Sequence, residues 1–395
     1  MKKNYFLLLC FLSFFNLSNG QVQLSVYSEV SIVTAGPGTE IFETFGHAAI
    51  RIKDPVLQLD VIYNYGMFDF NAPNFNLNFV KGTPYYSLGK QRFSHFISSY
   101  NFQKRWVKQQ VLNLSQSEKQ AYFLYLENNA RPENRDYLYD PYYNNCATKL
   151  RDITTDILGN KVTFKALDSR KKNYTLRELM QQEIPWNTWG SLGINIALGS
   201  ELDKIATENQ YMYLPDYVYQ KFKVATTIQN KEVVPLVKKE VDLLLHPEKQ
   251  YKSALLSPFL LFMLLGLLGL LITYKDHTNR KRTKWFDSLL LFATGILGSL
   301  VLFLWCFTNH STAPNNFNFL WAFAPNLLVA FLRLNKTWKR WFSLYFKFLA
   351  LLLFVMLVFW VLGIQSFPLA IIPFLILLFV RYIYLQHYFS SLHKE

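Results

Sequence analysis

The spacing of apolar and polar positions changes character at about residue 254. Before it, apolar residues come in short alternating or helical patterns broken by turn residues, and after it they run on with few interruptions. In the first part, residues 24–33 and 48–52 are rich in β-branched side chains. They are bounded by Gly36-Pro37-Gly38 and Asp54-Pro55, so both are expected as strands, with a third over 60–65. Aromatic segments with turn residues follow over 66–88, and then helical stretches around 93–107 and 117–128. The second of these helices opens on Leu114-Ser115 with Glu118 in its first turn, a capping arrangement. Beyond the polar and aromatic loop 140–145, Leu150, Ile153, Ile157 and Leu158 recur at helical spacing until Gly159-Asn160 stops them. Cys146 therefore falls at a helix N-terminus. Thr175-x-x-Glu178 has the form of a capping box, and Leu214-Pro215-Asp216 opens a helix through residue 223. Residues 231–240 are expected as a charged connector with one apolar face, ending at His246-Pro247.

In the second part, residues 254–274, 286–307, 317–332, 342–362 and 367–384 are apolar over lengths that suit membrane-spanning helices, about five in all. The third is short and carries Pro325 and Asn326 near its middle. Irregular backbone at that depth needs protein neighbours or a polar cavity, so a re-entrant segment is the alternative. Lys275, Arg280, Lys281, Arg282 and Lys284 follow the first span, and Arg333, Lys336, Lys339 and Arg340 follow the third. Residues 308–316 and 363–366 have no lysine or arginine. The basic loops are expected in the cytoplasm, which places the C-terminus inside and residues 21–253 outside. Residues 1–20 have a basic start, an apolar run over 5–17 and a small or polar end. They read as a signal peptide, with an uncleaved anchor as the alternative. The expected organisation is a signal peptide over 1–20, an extracytoplasmic domain over 21–230, a connector over 231–253 and a membrane domain over 254–395.

The formal net charge of +14 adds little to this picture. Much of the excess lies in the two basic loops and the rest suits an anionic bilayer surface, so no nucleic-acid partner is needed. The cysteine count matters more. Only Cys10, Cys146 and Cys306 are present, so the exported domain has a single thiol and no disulfide framework. A lone thiol exposed to oxidation is either inert through burial or kept for its reactivity.

A helix N-terminus and a nearby imidazole together lower a thiol pKa and make it a nucleophile. The exported domain offers His47, His95 and His246. His95 lies between Phe93 and Phe96 in an aromatic helical segment, and His246 lies beside the connector. His47 follows Gly46, which permits close backbone approach, and leads a strand whose next residues, Ala48 and Ala49, are small. Cys146 and His47 are the expected catalytic pair. A third residue should orient the imidazole, with Asn64 the first choice and Asp69 the second. Asn144 and Asn145 are candidate donors to an oxyanion, and Arg131, Arg135 and Arg151 are candidates for a phosphate or lipid headgroup. The histidines are scattered and Cys146 has no partner at ligand spacing, so neither metal nor cofactor is expected.

The order of His47 on a strand and Cys146 on a later helix resembles circularly permuted papain-like (NlpC/P60-like) thiol enzymes. That implies an α+β extracytoplasmic domain followed by an all-α transmembrane bundle. The strings Phe45-Gly46-His47-Ala48, Tyr63-Asn64-Tyr65-Gly66, Phe68-Asp69-Phe70, Pro132-Glu133-Asn134-Arg135 and Asn145-Cys146-Ala147-Thr148 with Arg151-Asp152 resemble the Lnb-type lipoprotein N-acyltransferases. The resemblance implies an inner-membrane enzyme. It would move a fatty acyl chain from a phospholipid donor, through a cysteine thioester, to the amino terminus of a diacylglyceryl-cysteine apolipoprotein. Both substrates keep their chains in the bilayer, and extraction would cost ~0.8 kcal/mol per methylene, so a tethered site suits the reaction. Trp186, Trp189 and residues 192–198 are candidates to dip into the interface, and Asn309, His310, Asn315 and Asn316 to line a lipid access route or form a solvated loop. Two other readings stay open: a cell-wall peptidase or amidase using the same Cys–His pair, and a non-catalytic receptor or assembly factor.

Overall fold

The computed structural model describes residues 22–167, 173–248, 254–332 and 339–394. The expected signal peptide, and Arg333 and Lys336 of the second basic loop, lie outside the described residues. The N-terminal domain is built on a sheet of seven strands, all paired antiparallel: β1 (Glu29–Ala35), β2 (His47–Asp54), β3 (Leu59–Met67), β4 (Tyr85–Arg92), β5 (Val107–Leu112), β6 (Asp136–Leu138) and β9 (Val237–Leu244). Their spatial order is β6-β4-β3-β2-β1-β5-β9. A separate hairpin, β7 (Thr226–Gln229) with β8 (Glu232–Pro235), precedes the last strand. The helices of this domain are α1 (Phe75–Lys81), α2 (Phe93–Phe102), α3 (Gln116–Asn129), α4 (Cys146–Leu158), α5 (Leu176–Glu183), α6 (Trp189–Ala197) and α7 (Pro215–Val224).

The central strands are buried at nearly every position rather than at alternate ones, because both faces of the sheet are covered. On one face Ile32, Ile50, Ile52 and Tyr63 pack with Leu126 of α3, Leu150 and Ile153 of α4 and Phe222 of α7. On the other, Val33, Ala49, Ile62 and Val107 pack with Phe93 and Phe96 of α2. The capping boxes at Ser115/Glu118 and Thr175/Glu178 form as the sequence implies.

Two expectations for this domain give way. The helix over 93–107 stops at Phe102, since Lys104 takes a left-handed conformation (φ 52) and Val107 opens β5. Residues 231–240 are not a connector. They complete the hairpin and enter β9, which pairs with β5 from Leu112↔Val237 to Val107↔Leu244. An edge strand needs backbone partners on one side only, and the lysines at 238 and 239 are residues that blunt such an edge. The sheet therefore extends to Leu244, past the expected boundary at 230.

Among the described residues, four helices are long and apolar enough to cross a membrane: α8 (Pro258–Thr278), α9 (Lys284–Phe307), α11 (Lys339–Val361) and α12 (Ile372–Lys394). The third apolar segment is not a fifth helix of that kind. Its described part holds a 3₁₀ turn at Phe317–Leu320 and the short α10 (Asn326–Phe331). It runs down α9, with Ala322 against Gly298, Leu327 against Gly295 and the Phe331 ring 5.9 Å from Phe292. A Cβ on Gly298 would lie 1.9 Å from the Ala322 oxygen, so the absent side chain is what admits this irregular backbone. Buried Asn326 donates to Thr294 Oγ1 at 2.9 Å and accepts from the Tyr345 hydroxyl. Protein thus surrounds the non-helical stretch, as hydrocarbon requires. At the end of the bundle remote from the sheet domain, Arg381 bonds Asp276 and Asp287 at 2.7 Å each.

Polar contacts join the two parts. Asn316 and Asn318, both fully buried, donate to the carbonyl oxygens of Ile196 (2.8 Å) and Asn195 (2.9 Å) in α6, and Gly199 N–H donates to the Thr312 oxygen. Buried Arg177 bonds Asp203, Asn195 and the Gly199 oxygen, while Asp203 accepts from Ser366 N–H at 3.0 Å. Leu192 packs in the same apolar cluster as Trp321 and Ile371 of the membrane part. The stretch 192–198 is therefore seated on the bundle, while Trp186 and Trp189 stay about half exposed.

Candidate active site

Gly46 has φ +74, and a Cβ there would lie 2.8 Å from the Ala35 oxygen. Only glycine takes this turn without strain, and the turn makes His47 the first residue of β2. On the neighbouring strand, Asn64 Oδ1 accepts a hydrogen bond from His47 Nε2. The Asn64 amide nitrogen donates to Met67 Sδ at 3.2 Å, across the register shift of β3. That second bond decides which end of the amide faces the ring, and with Nε2–H committed the other ring nitrogen is left for the thiol.

Cys146 is the first residue of α4, which packs over β2 and β3. Asn145 is its N-cap: Oδ1 accepts from the N–H groups of Ala147 and Thr148 at 2.9 Å, and Thr148 Oγ1 accepts from Asn145 N–H. The Asn145 amide donates to the oxygens of Pro141 and Tyr213, at 2.7 and 2.8 Å, so the loop before the cysteine is fastened on two sides. Asp140 adds to this by accepting from Tyr142 and Tyr143 N–H and from the Ser311 hydroxyl, which belongs to the loop after α9.

The Cys146 thiol and the His47 imidazole are electrostatically coupled. Burial works to push the Cys146 thiol up, but the charge and hydrogen bond of His47, with the N–H groups of Ala48 and Ala147, outweigh it and hold the thiol below its ordinary range. Burial works to lower His47 and Arg105 repels its proton. The Cys146 charge and hydrogen bond and the Asn64 bond prevail, and the imidazole is held above its ordinary value. Each group favours the charged form of the other.

Around the sulfur the chain makes room. Gly66 has φ +91, and a Cβ on it would stand 3.7 Å from Cys146 Cβ and 4.0 Å from both the Tyr137 hydroxyl and the Tyr139 ring. The buried Tyr137 hydroxyl finds no acceptor. Neither tyrosine is singled out by sequence pattern. β6 is too short to show alternation, and only its pairing with β4 brings them to the site. Arg105 was also hidden. Its Nε donates to the Gly36 oxygen at 2.7 Å and its Nη1 lies 3.4 Å from Glu43.

The other sequence candidates lie apart from this centre. Asp69 is exposed and accepts from Asn71 N–H in its own turn, so Asn64 alone meets the imidazole. The Asn144 amide donates to the Leu138 oxygen at 2.7 Å, and the Asn145 amide is committed to its cap and loop carbonyls. Arg131 is exposed, Arg135 lies 3.8 Å from Asp136, and Arg151 bonds Asp152 and the Asn209 oxygen. His95 is exposed on α2, and His246 bonds Asn101 at 2.9 Å.

A histidine-paired thiol on a mixed α/β domain, fastened by its own loop to the end of a helical membrane bundle, defines the class as a membrane-anchored, extracytoplasmic domain with a thiol centre. Residues 16–189 match the Lnb N-terminal periplasmic domain and residues 249–393 the Lnb transmembrane domain, which together take in most of the chain. The chain belongs to the Lnb family. Neither a curated protein nor a solved structure matches it.

Proposed function

We propose that this protein is a lipoprotein N-acyltransferase of the inner membrane, its thiol domain in the periplasm and its C-terminus in the cytoplasm. The Cys146 thiolate attacks the ester carbonyl of a phospholipid. The tetrahedral oxyanion is met by the Cys146 N–H, which as the first helical donor has no intrahelical acceptor, and by the Tyr137 hydroxyl. As the C–O bond breaks, the His47 imidazolium gives its proton to the departing lysophospholipid oxygen, leaving an acyl thioester on Cys146. The neutral α-amine of a diacylglyceryl-cysteine then attacks the thioester, His47 takes the amine proton, and the C–S bond breaks to return the thiolate. Asn64 keeps the ring turned toward the sulfur throughout.

The observation that carries this reading is the tie between the nucleophile's loop and the loop after α9, through Asp140 and Ser311. A thiol tied in this way to the outer end of the bundle suits two substrates whose chains stay in the bilayer. The basic residues at the remote end of the bundle support the orientation. The test uses proteoliposomes holding phospholipid and a diacylglyceryl lipopeptide. Wild type should add the mass of one acyl chain to the peptide's α-amine, and Cys146→Ala and His47→Ala should add none. Unchanged lipopeptide mass with wild type, alongside cleavage of a cell-wall peptide, would instead assign a peptidase.

A further inference from the structure

The helix α1 is unusual for a helix in water. It has seven residues, none of them buried, and Leu77 (49%), Phe79 (54%) and Val80 (46%) are exposed. An isolated helix of that length is marginal, and packing of an apolar face normally stabilises one. None of the described residues buries that face. Nearby Phe70 (63%) and Phe42 (55%) are also exposed, which makes a patch rather than scattered single residues.

Its place in the molecule indicates what covers it. The Lys81 oxygen accepts from Asn309 N–H at 2.8 Å, and Gly82 is pressed so close that a Cβ would lie 2.5 Å from the His310 nitrogen. Asn309 and His310 come two and three residues after α9 ends at Phe307, which is itself 76% exposed. The patch is thus continuous with the outer end of the membrane-facing bundle. From α1 a row of aromatic rings leads inward. Phe79 stacks on Phe75 (6.5 Å between ring centres), Phe75 on Phe68 (6.1 Å), Phe68 meets Tyr86 (5.1 Å), and Tyr86 stacks on Tyr139 (4.1 Å). Tyr139 and Cys146 flank the same space above Gly66.

We infer that α1 dips into the outer leaflet and that the row Phe79, Phe75, Phe68, Tyr86, Tyr139 is the seat of a phospholipid acyl chain, leading it from the bilayer to the Cys146 sulfur. Phe79, Phe75 and Phe68 supply apolar ring surface at the leaflet end, and the polar atoms of the row are the Tyr86 and Tyr139 hydroxyls at the sulfur end. An ester carbonyl is directed to that end and a hydrocarbon tail toward the leaflet. The use of the chain as acyl donor rests on the acyl-transfer reading, but its binding along this row does not.

The experiment keeps the two apart. Full-length Cys146→Ala protein, which cannot turn over, is placed in vesicles containing a phosphatidylethanolamine with a diazirine near the end of one acyl chain, and irradiated. Peptide mass spectrometry should find label within residues 68–81 and on Tyr86, besides the spans. Introducing Phe68→Asp should lower the Tyr86 label at least fivefold. In the otherwise native chain, the same substitution should slow acylation of Cys146 at least tenfold while alkylation of Cys146 by iodoacetamide stays within twofold, which shows the site is folded. Label confined to the spans, or Tyr86 label unaffected by Phe68→Asp, overturns the inference. Label along the row with no acyl transfer by wild type would leave the lipid seat standing and remove the acyltransferase reading.

Discussion

Replacing His47 with alanine tests the pair without any assumption about substrate. In the native chain the thiol is pushed up by burial and pulled down further by the imidazolium charge, its hydrogen bond and two backbone N–H groups. Removing the ring deletes the charge and one hydrogen bond and leaves the desolvation, which is the largest single influence, so the thiol must rise. A free thiol near pKa 8.5 is only a few per cent thiolate at pH 7, and each further unit removes about tenfold. A more basic thiolate is also a better nucleophile, with a Brønsted slope of about 0.4–0.5, so each unit returns about threefold and the net cost is about threefold per unit. Alkylation by iodoacetamide, followed on the Cys146 peptide so that exposed Cys306 does not contribute, should therefore slow at pH 7 in His47→Ala, by about threefold for each unit the thiol rises. The two proteins should converge at high pH, where both are thiolate. Equal rates at pH 7 would show that the imidazole is not what ionises this thiol, and the thiolate–imidazolium pair of the proposed acyl transfer would have to be abandoned.

Acylation of Cys146 should follow a bell in pH, rising as the depressed thiol ionises and falling as the raised imidazolium loses its proton. Asn64→Leu removes one of the influences that raise His47, so the alkaline limb should move toward acid and the maximal rate should drop, with little change in the lipid concentration needed for half-maximal rate. Asn145→Ala removes a helix cap and leaves the Pro141 and Tyr213 oxygens without their donor. It should cost about 1–2 kcal/mol for the cap alone, read as a lower denaturation midpoint, whereas an unchanged midpoint would discard the cap's role. Gly46→Ala demands a left-handed alanine against the Ala35 oxygen, and a loss of about 1–3 kcal/mol with loss of the fast-reacting thiol is the expected result.

Much of the site was legible because its signals are local. Gly46-His47, the cap at Asn145, and the helical spacing of Leu150, Ile153 and Ile157 each act within one or two turns of chain. Asn64 was reachable through strand pairing alone, since a hairpin near Pro55 puts β3 beside β2. Tyr137, Tyr139 and Arg105 were not reachable. They come from β6, the residue after it and the stretch before β5, and no periodicity says that a three-residue strand will pair with β4 across the sheet from β1. The asparagine beside the cysteine was misread for a related reason. A side chain before a helix N-terminus can serve the helix or a substrate, and the competing carbonyls at 141 and 213 appear only on folding. In the membrane part, length and hydropathy gave the four long helices. Pro325 and Asn326 marked the third segment as irregular, but hydropathy does not register that Gly295 and Gly298 let it lean on α9.

The junction between the two parts explains why a domain that needs only a tether is instead clasped. Among the described residues, the sheet domain bonds to the outer end of the bundle at several places: Lys81 to Asn309, Asp140 to Ser311, Asn187 and Trp189 to residues 256–259, Gly199 and α6 to residues 312–318, and Asp203 to Ser366. Each bond contributes only about 1 kcal/mol net, and burying Asn316, Asn318 and Arg177 is costly unless every polar atom is met. A flexible linker would hold the domain at no such cost, but its height above the bilayer would vary by many ångströms. In the acyl transfer proposed above, a carbonyl at the headgroup boundary and a thiolate that must approach it within about 3–3.5 Å would tolerate no such variation, since a misplacement of 1 Å can lose about a hundredfold in rate. On that reading the polar clasp is what would set the depth of the sulfur, and two of its contacts, Lys81 with Asn309 and Asp140 with Ser311, come from the segments that carry α1 and the Cys146 loop.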